Sequence, residues 1–457
     1  MTLWEYIKCK MLEHPTQTIS EEGASITYED LCIFAESYAQ KLTADHYGIL
    51  CNYEMSSAMA LLACIAAGKS AVPLPMRYGK EMYEKIWERA ESPCIITDIG
   101  GGLKIIPISP ESYPKPPEKD TVVILFTSGS TGNPKGIMLG EENLICNIED
   151  IRSYFPITSN DTILISRPLY HSSVLTGEFL VSLCAGAKIV FTSESFQPLN
   201  ILKLLKTNKA TVFGSTPTLM AVLSRFVREP QQLSVRLLSI SGECMTEGMA
   251  GIIRKAFPKA DVYCGYGLSE ASPRVAYLPA DDFGDDPTCA GIALSSVKIR
   301  IARDNGKDAA RGEVGEVLVK GNNVMTGYFN DTERTRRTIR HGWLHTGDLG
   351  YIGKNGRLYI KGRKDDMIIR AGMNIYPAEI ENTLSIDGRV REIQVYGYNK
   401  NGTQEIGMKV SGDFCSVDEV MKMCRQYLPS YQVPSKIDLV SELEKNAGGK
   451  RKRSAKS

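Results

Sequence analysis

Close cysteine pairs are missing from this chain. Its twelve cysteines are scattered, and none lies nearer another than Cys415 does to Cys424, so no Cys-x-x-Cys redox motif or zinc knuckle can be written on it. A run of roughly 18 apolar residues is also missing, as is a basic start leading into an apolar segment. These absences lead us to expect a soluble, cytoplasmic protein whose reduced thiols serve mostly as small core hydrophobes. Net charge of either sign is lacking: 54 Lys and Arg face 53 Asp and Glu, leaving no global field for nucleic acid or an anionic membrane. The exception is a basic tail of Lys450, Arg451, Lys452, Arg453 and Lys456. No internal repeat is present.

At 457 residues the chain exceeds one small core, and a length prior of about 150 residues per domain gives two to four cooperating units. Helix–strand alternation dominates the first half. Met59 to Gly68 reads as a small-residue helix with a glycine cap, followed by a strand from Ser70 to Pro75. The pattern recurs at Gly177 to Ala185 into Ala187 to Phe191, at Leu199 to Lys206 into Ala210 to Phe213, and at Thr216 to Arg225 into Leu237 to Ile240. Nearly continuous apolar strands between helices imply an α/β fold of doubly wound, mostly parallel sheets. After Val262 short strands separated by Gly, Asn and Asp turns (Val297 to Ala302, Gly315 to Val319, Gly356 to Ile360) imply a small β subdomain. From Ile368 onward, strands at Arg391 to Tyr396 and Gly407 to Val410 interleave with helices at Pro377 to Ser385 and Val417 to Tyr427, a compact α+β pattern. The charged run from Lys361 to Asp366 is the expected boundary.

Chemistry gathers first at Thr127 to Gly136, a stretch of small hydroxyl residues and glycines behind the apolar run Val122 to Phe126. Backbone N–H groups, hydroxyls and the Lys135 cation could cradle phosphate oxygens there. It is not a Walker loop, because Lys135 follows Pro134 and precedes Gly136 rather than standing between Gly and Ser or Thr. Further clusters follow: Gly265-Tyr266-Gly267-Leu268-Ser269-Glu270, then Gly342 to Leu349 around His345 and Asp348, then Gly362-Arg363-Lys364-Asp365, and finally Gly449-Lys450. In this order and approximate separation they resemble the adenylate-forming enzymes, the superfamily of acyl-CoA synthetases, nonribosomal adenylation domains and beetle luciferases. The resemblance spans nearly the whole chain.

That resemblance implies a large N-terminal domain over residues 1–363 and a small mobile C-terminal domain over 364–457, rotating at Asp365. It implies ATP, magnesium and a pantetheine thiol as co-reactants. Thr127, Ser128, Gly129, Ser130, Thr131, Gly132 and Lys135 would meet the phosphates, with Thr127 also catalytic. Glu270 would hold magnesium. Gly242, Glu243, Gly265, Tyr266, Gly267, Ser269, Asp348, Tyr351 and Arg363 would hold adenine and ribose, with the flat face of Tyr266 available for stacking. Lys450 would bring the catalytic cation to the acyl-forming centre. Here the chain departs from the family pattern, since Arg451 occupies a usually aliphatic position and the sequence stops soon after.

Pro168 to Ser173 lacks the Phe-Asp pair with which amino-acid adenylation domains hold an ammonium, and its Pro-Leu-x-His form resembles acyl- and aryl-CoA synthetases. By the same analogy His171, Ser172, Ser241, Gly242, Gly267 and Ser272 would line the acid pocket, and Gly372 and Met373 the thiol tunnel. The expected activity is activation of an acyl or aryl acid to an acyl-adenylate, then transfer to CoA. Sequence leaves open a stand-alone enzyme that loads an acyl or peptidyl carrier protein, because the arm is the same. It also leaves open a binding protein that holds nucleotide without chemistry, for which Arg451 and the short tail are the warrant.

Overall fold

The computed structural model of the protein describes residues 1–74, 80–108, 117, 120–128, 134–193, 196–370, 373–400 and 403–444. Among these residues the apolar runs become strands of two large sheets. The first runs, edge to edge, Ile292–Ala293, Arg274–Leu278, Asp261–Gly267, Leu237–Ser241, Val212–Ser215, Thr162–Ile165, Lys188–Phe191, Thr18–Glu21 and Ala24–Thr27. From Asp261–Gly267 to Thr18–Glu21 neighbours are parallel. Antiparallel strands close both edges. Leu237–Ser241 and Val212–Ser215 are buried at every position, as expected of parallel strands covered on both faces.

The second sheet is built around Thr121–Ser128, parallel to Ser70–Pro73 on one side and antiparallel to Pro134–Gly140 on the other. This changes the reading of the phosphate stretch. Its flanks stay paired, Thr127 opposite Lys135 and Ser128 opposite Pro134, so Lys135 stands on a strand of a β-hairpin rather than in a loop. One apolar cluster runs through both sheets and their helices, including Leu61, Val123, Leu125, Ile163, Phe179, Phe191 and Leu237.

The texture change expected after Val262 comes later. Asp261–Gly267 and Arg274–Leu278 still belong to the nine-stranded sheet, because their apolar side chains pack into its cores. The antiparallel subdomain begins at Lys298–Ala302 and continues through Gly315–Lys320, Trp343–Ile352 and Leu358–Arg363. A single 3-10 turn, Lys364–Asp366, follows. Beyond it the chain builds a core of its own from Ile368, Ile380, Val395, Met408 and Met423. A three-stranded sheet of Val390–Lys400, Thr403–Gly412 and Lys436–Leu439 carries the helices Pro377–Leu384 and Val417–Tyr427. This part touches the larger one closely. Glu247 N–H donates to Asn382 Oδ1 at 3.2 Å. A Cβ on Gly248 would meet the Ser385 carbonyl oxygen at 2.3 Å, so only glycine permits the approach.

Candidate active site

After Gly267 the chain leaves the sheet in a 3-10 turn, Ser269–Ala271, that presents Glu270. Two buried asparagines hold this turn. Asn147 accepts from Arg274 N–H at 3.1 Å and donates to its carbonyl at 2.9 Å. Asn323 donates to the carbonyls of Ala271 and Arg274. The fixed carboxylate of Glu270 accepts hydrogen bonds from the Lys135 ammonium and, at 2.9 Å, from the Tyr328 hydroxyl. Burial alone would raise the Glu270 carboxyl, but the charge and hydrogen bond of Lys135 outweigh it and hold it below its ordinary value. Beside this pair Thr127 Oγ1 is buried without a hydrogen-bond partner among the described residues. One hard carboxylate oxygen suits magnesium, which is typically shared between one or two carboxylates, phosphate oxygens and water. No cluster of three His, Cys, Asp or Glu that could hold a metal lies among the described residues.

Asp348 lies on the long strand Trp343–Ile352, where the Thr346 hydroxyl donates to Val317 O at 2.7 Å and accepts from Asp348 N–H at 3.0 Å. Tyr266 Oη donates to Asp348 Oδ2 at 2.7 Å, and Arg363 Nη1 donates to Oδ1 at 3.0 Å. Burial pushes the Asp348 carboxyl up, against the pull of Arg363 and Tyr266. The expected stacking face of Tyr266 thus comes with a second task, aiming the aspartate. Glu270 is near enough to influence both Asp348 and Arg363 electrostatically, so the two carboxylates serve one region.

The remaining expected residues fall around these groups. Ser172 and Ser269 share a hydrogen bond at 2.9 Å. His171 precedes the short helix Ser172–Val174 as its N-cap, its ring centroid 4.5 Å from that of Tyr170. Ser241 and Ser272 bury hydroxyls with no partner among the described residues. Gly242 has φ +100°, and a Cβ at Gly267 would lie 1.8 Å from Pro273 O, so both positions require glycine. Gly265 stands opposite Ser241 in register. Glu243 accepts from Thr218 N–H at 3.2 Å. Tyr351 stacks on Tyr359 with centroids 5.0 Å apart, under the Lys361 ammonium. Asp365 occupies the 3-10 turn, and Met373, itself exposed, begins the strand Met373–Ile375. Gly129, Ser130, Thr131, Gly132, Gly372 and Lys450 lie outside the described residues. Sequence reading missed Tyr328, whose Gly327-Tyr328-Phe329 setting gives little signal, and the asparagines Asn147 and Asn323, which stand in no motif.

The Lys135–Glu270–Tyr328 and Asp348–Tyr266–Arg363 groups thus bring two buried carboxylates into one region of a two-sheet α/β protein. The chain belongs to the family described as AMP-binding enzyme, whose profile matches residues 10–329. It is 28% identical to a feruloyl-CoA synthase of an Amycolatopsis species, over 98% of this chain and 96% of that one. With a 2-succinylbenzoate–CoA ligase of Bacillus cereus it shares 30% identity over 95% and 94% of the two chains. The o-succinylbenzoate CoA synthetase of Bacillus subtilis, solved with ATP and a magnesium ion, superimposes with a TM-score of 0.84 at 26% identity, covering 98% of each chain.

Proposed function

We propose that this protein joins a carboxylic acid to the thiol of CoA at the expense of ATP. The acid's carboxylate oxygen attacks the α-phosphorus and pyrophosphate leaves; the CoA thiol then attacks the acyl carbonyl and AMP leaves. The observation that carries this reading is the proximity of two polar centres, Lys135–Glu270–Tyr328 and Asp348–Tyr266–Arg363, at the C-terminal end of the strand Asp261–Gly267. Glu270 would hold magnesium, which when bound supplies positive charge to the phosphate oxygens. Thr127 and Lys135 would hold the leaving phosphates, and Asp348 with Arg363 would accept and fix the ribose hydroxyls. Tyr266 would cover adenine while bonded to Asp348, and Ser172, Ser241 and Ser272 would border the acid.

Residues 1–363 and 364–457 would act as two domains turning at Asp365, so that Lys450 reaches the first half-reaction and the Gly372–Met373 segment the second. CoA is the favoured acceptor over a carrier protein because the curated relatives above are CoA ligases. The test is exchange of labelled pyrophosphate into ATP across a panel of acids, followed by thioester formation with CoA or a carrier protein. Exchange that needs an acid supports the reading, and ATP binding with no acid-dependent exchange overturns it. Lys450→Ala should abolish exchange yet spare thioester formation from supplied acyl-adenylate; equal loss of both would sink the rotation of domains.

A further inference from the structure

Towards the C-terminal ends of three neighbouring strands, one face of the nine-stranded sheet carries only glycines and serines. Gly214 lies opposite Ser239, and Ser241 opposite Gly265, so these four positions share a face on three adjacent strands. Charged groups fill the space. The Arg274 guanidinium lies over Gly265, where a Cβ would meet Nε at 2.6 Å, and reaches Ser239 Oγ at 3.3 Å. Across from it a π-helical turn, Leu175–Leu180, brings Gly177 within 3.5 Å of Arg274 Nη2, measured from the position of a Cβ. The same turn presses Glu178 against Gly214.

The charges in this trough do not cancel. Glu178 is ion-paired with Arg167, and both side chains are buried. Arg274 is 3% exposed and pairs with no carboxylate among the described residues; its partners are the hydroxyls of Ser239 and Tyr154. Among the described residues its Nε has no partner, and neither the Ser241 hydroxyl nor the second carboxylate oxygen of Glu178, Oε2, has one. A buried guanidinium without a counter-charge is costly, and an unmade bond at its Nε adds to that cost. π-Helical turns also occur frequently at functional sites.

We infer that Arg274 is a specificity determinant of the acid pocket and that the acid carries a second carboxylate, which this guanidinium receives at the end remote from the phosphates. The inference rests on the ligase reading above. Ser241 supplies a donor for a remaining oxygen lone pair, and the Arg167–Glu178 pair stays internal. An acid with an apolar end in the same place would leave Arg274 uncompensated, so the trough selects against it as well as for the dicarboxylate.

The experiment is acid-dependent pyrophosphate exchange with matched acids, benzoate, cinnamate and hexanoate against 2-carboxycinnamate, adipate and 2-succinylbenzoate. The wild type is compared with Arg274→Met and Arg274→Lys, and each variant is checked for ATP binding and thermal unfolding. The wild type should prefer a dicarboxylate over its monocarboxylic match by about 100-fold or more in kcat/KM. Arg274→Met should raise the KM for the dicarboxylate, reverse the preference and leave ATP affinity within about twofold, while Arg274→Lys should keep part of the preference. A structural role alone would lower all acids together, and that outcome overturns the inference. Equal or better use of the monocarboxylic acids by the wild type overturns the inference and leaves the ligase standing. No exchange with any acid overturns both.

Discussion

Tyr266 and Asp348 come from different sheets and meet through a 2.7 Å hydrogen bond, phenol to carboxylate. The bond ties the nine-stranded sheet to the antiparallel subdomain. It also fixes a carboxylate in a place where burial works against its charge.

That conflict has a measurable sign. Because burial, only partly offset by Arg363 and Tyr266, raises the Asp348 carboxyl in the folded state, its contribution favours folding most at low pH. It is lost as pH rises through the folded value. Asp348→Asn should therefore melt higher than the wild type at neutral pH and show a flatter rise in stability on mild acidification. It should bind ATP about 10- to 100-fold more weakly, as expected for hydrogen bonds to a charged acceptor. Calorimetric unfolding and nucleotide titration on the same samples check both halves.

Glu270 has the opposite sign. Its carboxyl lies below the ordinary value despite burial, so its contribution is present above the unfolded value and is lost as pH falls through the folded one. Glu270→Gln should remove that acid-side loss and lower pyrophosphate exchange by about 100- to 1,000-fold. Lys135→Met alone leaves a buried carboxylate with only Tyr328, whereas the double variant does not. A double-mutant cycle by urea unfolding should give a coupling of about 1–3 kcal/mol.

Asn147 satisfies both backbone groups of Arg274 from within the core. Asn147→Ala should destabilise the protein by roughly 2–4 kcal/mol, since a buried N–H and carbonyl lose their partner. Exchange activity should fall with it, because the turn that aims Glu270 loosens. Urea unfolding gives the first quantity. Adding excess magnesium should restore part of the second, while a change in stability alone would separate the asparagine from the site.

How much of this was legible beforehand depended on the kind of physics involved. Strands such as Leu237–Ser241 were readable because burial on both faces demands unbroken apolar runs. Glu270, Asp348 and Arg363 were singled out because their neighbours follow a known order, and the structure brings the three into one region. Three things escaped. The hairpin pairing of Thr127 with Lys135 is a cross-strand register, which no local glycine pattern encodes. The supports Asn147 and Asn323 act through tertiary contacts with Arg274, far away in sequence. The Arg274 guanidinium acquires meaning only once Gly177 and Gly265 are seen to make room for it.

Gly248 offers a test of how the two parts of the chain cooperate. A side chain there would collide with the Ser385 carbonyl, so Gly248→Val should forbid the observed docking without entering the nucleotide site. Under the proposed rotation at Asp365, which gives each step its own arrangement, adenylation and thioester formation, assayed separately, should change by unequal factors. Equal change in the two would remove the contact from the catalytic cycle.

If the site binds as proposed, the hydrogen bond between Lys135 and Glu270 would also govern which visitors it admits. Each charge is already answered by the other, so a stray divalent ion finds no bare carboxylate and a stray phosphate no bare ammonium. Only a ligand that brings both signs at once can exchange one internal bond for two external ones. On the function proposed above, the pair would act as a coincidence lock whose key is the metal–nucleotide complex, and inorganic phosphate or magnesium alone would leave it shut.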